Sequence, residues 1–176
     1  MTTSAHPELY YVPYASFLSD LETVARQIGV DGWKPNFLVG VGRGGLVPAA
    51  YLSHRTGITM LSVDHSSGEA AFADELLEKL AAKSRDGSRI LIVDDINDSG
   101  STIAYLREAL TGYGCSPGNI RVAVLVNNLS SKAQVDYAGT HMDRSGDKRW
   151  FVFPWEAMAT AESIVEDAAS VPERLA

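Results

Sequence analysis

The sequence has 176 residues, 45% of them hydrophobic and 21% charged, with a formal net charge of −7 at pH 7. This is ordinary globular composition, and the length suits one domain (1–176) with a core that needs no disulfide or metal staple. The acidic balance disfavours nucleic acid or an anionic membrane surface as a partner, since both require local positive charge; a small anion held by backbone amides and a divalent cation is compatible with it.

Taken in chain order, Phe17, Leu18, Leu21, Val24, Ala25 and Ile28 fall at helical spacing, with Ser16 or Ser19 as a cap and Gly29 as a stop. After the breaker Pro35-Asn36, Phe37–Val41 reads as a strand. A Gly-rich turn, Gly40–Gly45, leads into a helix over Leu46–Arg55 that Gly57 closes; Pro48 falls in its first turn, where a missing N–H is harmless. Ile58–Val63 reads as a second strand, Asp64–Gly68 as a polar loop, and Ala70–Lys83 as a helix with Phe72, Leu76, Leu77 and Leu80 on one face. Ile90–Val93 is a short buried-type strand, Asp94–Ser101 is polar, and Thr102–Leu110 is helical. Ile120–Val126 and Trp150–Phe153 are the last predicted strands, and Tyr137–Lys148 is polar with no legible pattern.

This alternation predicts an α/β fold, an open and mostly parallel sheet flanked by helices, because continuous apolar runs suit strands covered on both faces. Ligands in such sheets bind beyond the carboxyl ends of the strands, where the segments after Val41 and Val93 lie. Cys115 is the single cysteine, so neither a disulfide nor a cysteine-rich zinc site is available. Apolar runs fall well short of the roughly 18 residues of a membrane span, and Met1–Pro7 carries no basic stretch followed by an apolar one. The expectation is a soluble, cytoplasmic protein.

The main chemical signal is Asp94-Asp95-Ile96-Asn97-Asp98-Ser99-Gly100-Ser101-Thr102 directly after the strand Ile90–Val93. Two adjacent carboxylates repel, so a divalent cation or hydroxyl donors must offset them. The turn Ser99–Thr102 supplies hydroxyls and the free amides of a helix start, a combination that binds a phosphate monoester without lysine. A helix cap alone would need one such residue, and an EF-hand fails because Leu106 stands where Glu is required. The second signal is Val39-Gly40-Val41-Gly42-Arg43-Gly44-Gly45-Leu46-Val47-Pro48, in which Gly40, Gly42 and Gly45 fit a dinucleotide-binding spacing, with Asp64 where a ribose acid would fall. The third is Lys148-Arg149-Trp150-Phe151-Val152-Phe153-Pro154-Trp155-Glu156, an aromatic cluster near the C-terminus.

The first motif resembles the phosphoribosyl pyrophosphate signature of type I phosphoribosyltransferases. The second and third are similar to stretches of the bacterial xanthine–guanine branch of that family, with Gly42 in place of Ser. The resemblance covers about Leu38 to Glu156 and implies a purine phosphoribosyltransferase with a small base-binding hood. The core would be about 36–130 and the base-binding segment about 131–156. By this resemblance, Asp94 and Asp95 hold the ribose hydroxyls directly or through Mg²⁺, and Ser99, Gly100, Ser101 and Thr102 grip the 5′-phosphate. Gly42, Arg43 and Gly44 hold pyrophosphate. Asp98 contacts the donor, lies near the purine and is the candidate acid–base catalyst. Trp150 stacks on the base, the Phe151 backbone meets its edge, and Trp155 is structural. Where the family places a Lys that reads the 6-oxo group, this chain has Asn127, which leaves the accepted base open. The implied partners are phosphoribosyl pyrophosphate and a purine, with self-association as a dimer or tetramer. A non-catalytic sensor of phosphoribosyl pyrophosphate, a transferase for another purine-like base, and a dinucleotide-dependent oxidoreductase resting on Gly40–Gly45 are the other readings.

Overall fold

The computed structural model describes residues 7–64 and 70–170, with backbone alone at 70–73. In chain order the elements are β1 (Leu9–Tyr11), α1 (Tyr14–Val30), β2 (Phe37–Val41), α2 (Gly42–Thr56), β3 (Thr59–Val63), α3 (Ala70–Arg85), β4 (Ile90–Asn97), α4 (Ser101–Gly112), β5 (Ile120–Asn128), β6 (Tyr137–Met142), β7 (Trp150–Val152) and α5 (Ala161–Ala169). Five strands form one sheet in the order β3-β2-β4-β5-β6, every neighbouring pair parallel. β1 and β7 form a separate parallel pair, with Leu9 opposite Trp150 and Tyr11 opposite Val152.

Strand residues point alternately to opposite faces, and here each face is apolar. Leu38, Leu91, Ala123 and Leu125 pack on one side against Phe17, Leu21, Val24 and Ile28 of α1 and Ala49 and Leu52 of α2. Val39, Ile90, Ile92, Val122 and Val124 pack on the other against Leu77 and Leu80 of α3 and Ile103, Leu106 and Leu110 of α4. The expected sheet with helices on both faces is therefore the observed one.

Several predicted boundaries shift, each for a local reason. α1 starts after Pro13, whose ring fixes φ near the observed −61°, and neither Ser16 nor Ser19 caps it. It runs past Gly29 to Asp31, whose N–H donates to Gln27 O and whose Oδ1 accepts from the Trp33 N–H. α2 begins at Gly42 rather than Leu46, so the Gly-rich turn is the helix's own first turn. β4 continues through Asn97 and carries both acids on the strand instead of in a loop. On α3, Leu77 and Leu80 are buried but Leu76 is exposed; the Phe72 side chain and His65 lie outside the described residues.

Leu91 has no exposed surface and sits mid-sheet. Leu91→Ala is expected to destabilise the protein by about 2–5 kcal/mol. Urea unfolding checks this, and a loss below about 1 kcal/mol would show that the sheet centre can collapse around the gap.

Candidate functional site

The chain passes from β2 outward to β3, then returns across β2 to β4. The crossover direction thus reverses between β2 and β4, which opens a crevice beyond their carboxyl ends. A cleft of about 790 Å³ lies there, lined among others by Gly42, Arg43, Gly44, Asp94, Asp95, Asp98, Ser99, Gly100, Ser101, Thr102, Trp150 and Phe151.

The first wall is the start of α2. No side chain caps this helix, so its leading amides keep their donors for a ligand. The helix start lies flush on the end of β4. A Cβ at Gly44 would strike the Asp95 carboxylate, and one at Gly45 would strike the Val93 carbonyl oxygen. Glycine at these two positions lets backbone meet backbone around the acid pair.

Asp94 and Asp95 form the floor. The Asp95 N–H donates to Asp94 Oδ1 at 3.0 Å. Burial pushes the Asp94 carboxyl up to about 7. Burial also pushes Asp95 well above the usual carboxylate range, and the nearby charges of Asp94 and Glu156 add to the shift. Glu156, behind them, is likewise raised by burial. The cleft therefore concentrates carboxyl groups that resist ionisation until a cation or hydroxyl donors arrive.

The opposite wall is the start of α4. Gly100 precedes it at φ +86°, a left-handed conformation that L side chains rarely adopt, and no side chain caps this helix either. The Ser101 N–H donates to Ser99 Oγ at 3.3 Å, and the Ser99 hydroxyl donates to Ser101 Oγ at 3.0 Å. Two helix starts thus flank the acid pair, that of α2 with no side-chain cap and that of α4 with only its Ser101 N–H turned to Ser99 Oγ, and a helix start stabilises anions through its remaining amides and its dipole.

The far end is aromatic. Trp150 and Phe151 belong to β7, anchored by the Trp150 N–H to Glu8 O bond at 2.7 Å and by an edge-to-face contact of Phe151 with Tyr10 at 5.3 Å. Trp155 stacks on Phe153 at 5.0 Å and meets Phe17 edge-on, as expected of a packing residue, although it also lines the cleft. Asp98 lies between the α4 wall and the aromatic end. Its carboxylate takes a two-pronged contact from Arg144, Nε to Oδ1 at 2.9 Å and Nη2 to Oδ2 at 3.0 Å.

Asn127, expected at the base, is placed elsewhere and does not line the cleft. It is the register partner of Asn97, accepts from Asn97 Nδ2 at 2.8 Å, and faces His141 Nδ1 at 3.2 Å. It therefore borders a shallow groove with Gln27, Asp31 and Asp136. The neighbouring Asn128 does the bracing. Its amide donates to Asp98 O at 2.9 Å, and its Oδ1 accepts from the Arg144 N–H at 3.2 Å. Arg144 and Glu156 were not singled out as site residues by sequence. Arg144 lies 46 residues from Asp98 in a segment without periodicity, while Glu156 stood in view as the acid closing the aromatic motif.

The raised Asp94 carboxyl has a stability consequence. Its folded value, about 7, lies above the roughly 3.9 of an unfolded Asp. Its contribution to stability is thus complete below about pH 4 and is lost as pH rises through 7. In chelator-containing buffer, Asp94→Asn is expected to melt above the parent at pH 8, with the gap closing toward pH 5. Equal pH slopes for the two proteins by calorimetry would contradict this account.

Residues 14–160 match the phosphoribosyl transferase domain family. The chain is 32% identical over 140 residues to the xanthine-guanine phosphoribosyltransferase of Vibrio vulnificus, covering 79% of this chain and 83% of that one. It is 28% identical over 142 residues to the Idiomarina loihiensis protein of the same name, covering 77% and 78%. The Helicobacter pylori xanthine-guanine-hypoxanthine phosphoribosyltransferase structure superposes with a TM-score of 0.63 at 22% identity, covering 93% of this chain and 100% of that one, a likeness of fold. With a cleft at the switch point of a parallel sheet and sequence similarity along most of its length, the chain belongs to the phosphoribosyltransferase family.

Proposed function

We propose that the protein transfers the 5-phosphoribosyl group of phosphoribosyl pyrophosphate to a ring nitrogen of a 6-oxopurine such as guanine, xanthine or hypoxanthine. Pyrophosphate is released and a nucleoside monophosphate forms. The observation that carries this reading is the presence, in one cleft, of two uncapped helix starts, a buried acid pair between them and an aromatic wall at the far end. The names of the relatives support the choice of base.

In this reading residues 36–130 supply the phosphoribosyl end and residues 131–156 the base end. The α4 start, Ser99 to Thr102, takes the 5′-phosphate. Gly42, Arg43 and Gly44 take the pyrophosphate, and Asp94 and Asp95 fix the ribose hydroxyls. The purine nitrogen attacks the anomeric carbon as the carbon–oxygen bond to pyrophosphate breaks, through an oxocarbenium-like state as in glycoside chemistry. Amides and Arg43 stabilise the charge that gathers on the leaving oxygens. Asp98 handles the proton on the purine's five-membered ring. The Arg144 fork places one N–H on each oxygen of this carboxylate.

The donor set fits Mg²⁺. Asp94 and Asp95 are adjacent hard oxygen ligands held above their usual pKa by burial, and Mg²⁺ binds through one or two carboxylates plus water and substrate phosphates. No group of three His, Cys, Asp or Glu that could hold a metal occurs among the described residues, consistent with a cation that arrives with its phosphate ligands. When bound, it neutralises charge on pyrophosphate and on the acid pair. Self-association into a dimer or tetramer and a cytoplasmic setting belong to the same proposal; no helix among the described residues is long and apolar enough to cross a membrane.

A base panel with phosphoribosyl pyrophosphate and Mg²⁺, followed by pyrophosphate release, tests this function. Turnover is expected with a 6-oxopurine, and turnover with none of guanine, xanthine, hypoxanthine and adenine overturns it. Asp98→Ala is expected to lower kcat about 10²–10⁴-fold. Trp150→Ala is expected to raise KM for the base while KM for the phosphoribosyl donor stays within twofold. A parallel rise in both would assign Trp150 to packing.

A further inference from the structure

We infer that Arg144 determines which purine the cleft accepts, its guanidinium favouring a base with an exocyclic oxygen over one with an amino group at the edge beside Asp98. The inference rests on the purine-transferase reading and adds the residue that discriminates between bases.

Only two cationic side chains line the cleft among the described residues, Arg43 and Arg144. Arg43 is exposed on the glycine turn at the phosphate end. Arg144 is at the aromatic end, its guanidinium 5.2 Å from the Phe151 ring centroid. It comes from the segment between β6 and β7, and its side chain is 12% exposed against 18% for its partner Asp98.

The guanidinium is held on every side. Nε and Nη2 donate to the two oxygens of Asp98, and Nη1 donates to Asp147 O at 3.2 Å and Arg149 O at 2.6 Å. The Arg144 backbone N–H is fixed by Asn128. Four of the five side-chain N–H groups are thereby engaged, which leaves one Nη2 hydrogen on a guanidinium that lines the same cleft as Trp150 and Phe151. A charge that cannot swing away discriminates better than a flexible one, because the wrong partner cannot be accommodated by rearrangement. A carbonyl oxygen on the base meets this cation as an acceptor; an amino group meets it donor to donor. The Arg144 side chain is only 12% exposed, so its interactions are screened less than those of a surface cation. This supplies the cationic reader that the placement of Asn127, outside the cleft, leaves wanting.

The contrary possibility is a strut that only neutralises Asp98. Arg144→Gln and Arg144→Lys distinguish the two when inosine and adenosine 5′-monophosphates are titrated calorimetrically onto parent and variants, with turnover of hypoxanthine and adenine measured in parallel. The parent is expected to bind the oxo nucleotide more tightly. Arg144→Gln is expected to lose about tenfold in affinity for inosine monophosphate, the size of one charge-assisted hydrogen bond, with adenosine monophosphate within twofold. Arg144→Lys, which keeps charge but loses the planar fork, should fall between. Equal losses for both nucleotides, or no loss, overturn the assignment. If Arg144→Gln does not fold, the lysine variant decides: a threefold or larger fall in the oxo-to-amino ratio supports the inference and an unchanged ratio overturns it. A parent that turns over neither purine while the nucleotide ratio still responds to Arg144 defeats the transferase reading and leaves this one standing. Turnover with an unresponsive ratio does the reverse.

Discussion

Two adjacent carboxylic acids at the end of a central strand, Asp95 buried and Asp94 part-buried, are the feature around which the rest of the molecule is arranged. Burial disfavours their ionised forms, and each charge opposes the other. A fold tolerates such a pair when something outside the chain relieves it. The surroundings of Asp94 and Asp95 are shaped accordingly: a helix start pressed against Asp95 where no Cβ fits, a second helix start left uncapped across the cleft, and no cation of the chain paired with either acid in an ion pair among the described residues. Hydroxyl donors and a cation would relieve that electrostatic strain.

The two ends of the cleft are built by different means. The end formed by the two helix starts is lined by residues within a few positions of a strand terminus: Gly42 to Gly44 after β2, Ser99 to Thr102 after β4. At the aromatic end the contacts come from side chains brought together over long separations. Asp98 meets Arg144 across 46 positions, and Asn128 fastens the loops that carry both. One end follows from short stretches of sequence; the other depends on the completed fold.

That division explains what could be read in the sequence. Four of the sheet's five strands, four helices and the two glycine-bearing turns at the cleft were legible because apolar runs and glycine spacing are local signals. So were the acids, although the continuation of β4 through Asn97 was hidden by its polar side chains, which occupy strand positions facing the cleft. β6 was not legible: Tyr137–Met142 contains Gly139, Thr140 and His141, as an edge strand can. Gly139 is required where α1 passes so close that a Cβ would meet Asp20. α5 has only Ile164 and Ala168 as buried anchors, too few for a periodic signal. By resemblance Asn127 stands where the family places a Lys that reads the base, but it lies on β5 itself, where its side chain meets Asn97 and His141. Arg144 carried no local mark at all, since its partner and its aromatic platform lie on other elements.

The β1–β7 ribbon joins residues about 140 positions apart, Leu9 against Trp150. Three residues from near the amino terminus therefore act as the backing on which the indole wall is mounted, and Tyr10 props Phe151 from behind. The two helix starts are built from contiguous stretches of chain, whereas the aromatic wall exists only once β1 and β7 have paired. A change in β1 would thus act on the aromatic wall from a distance, whereas neither helix start draws any of its residues from that strand.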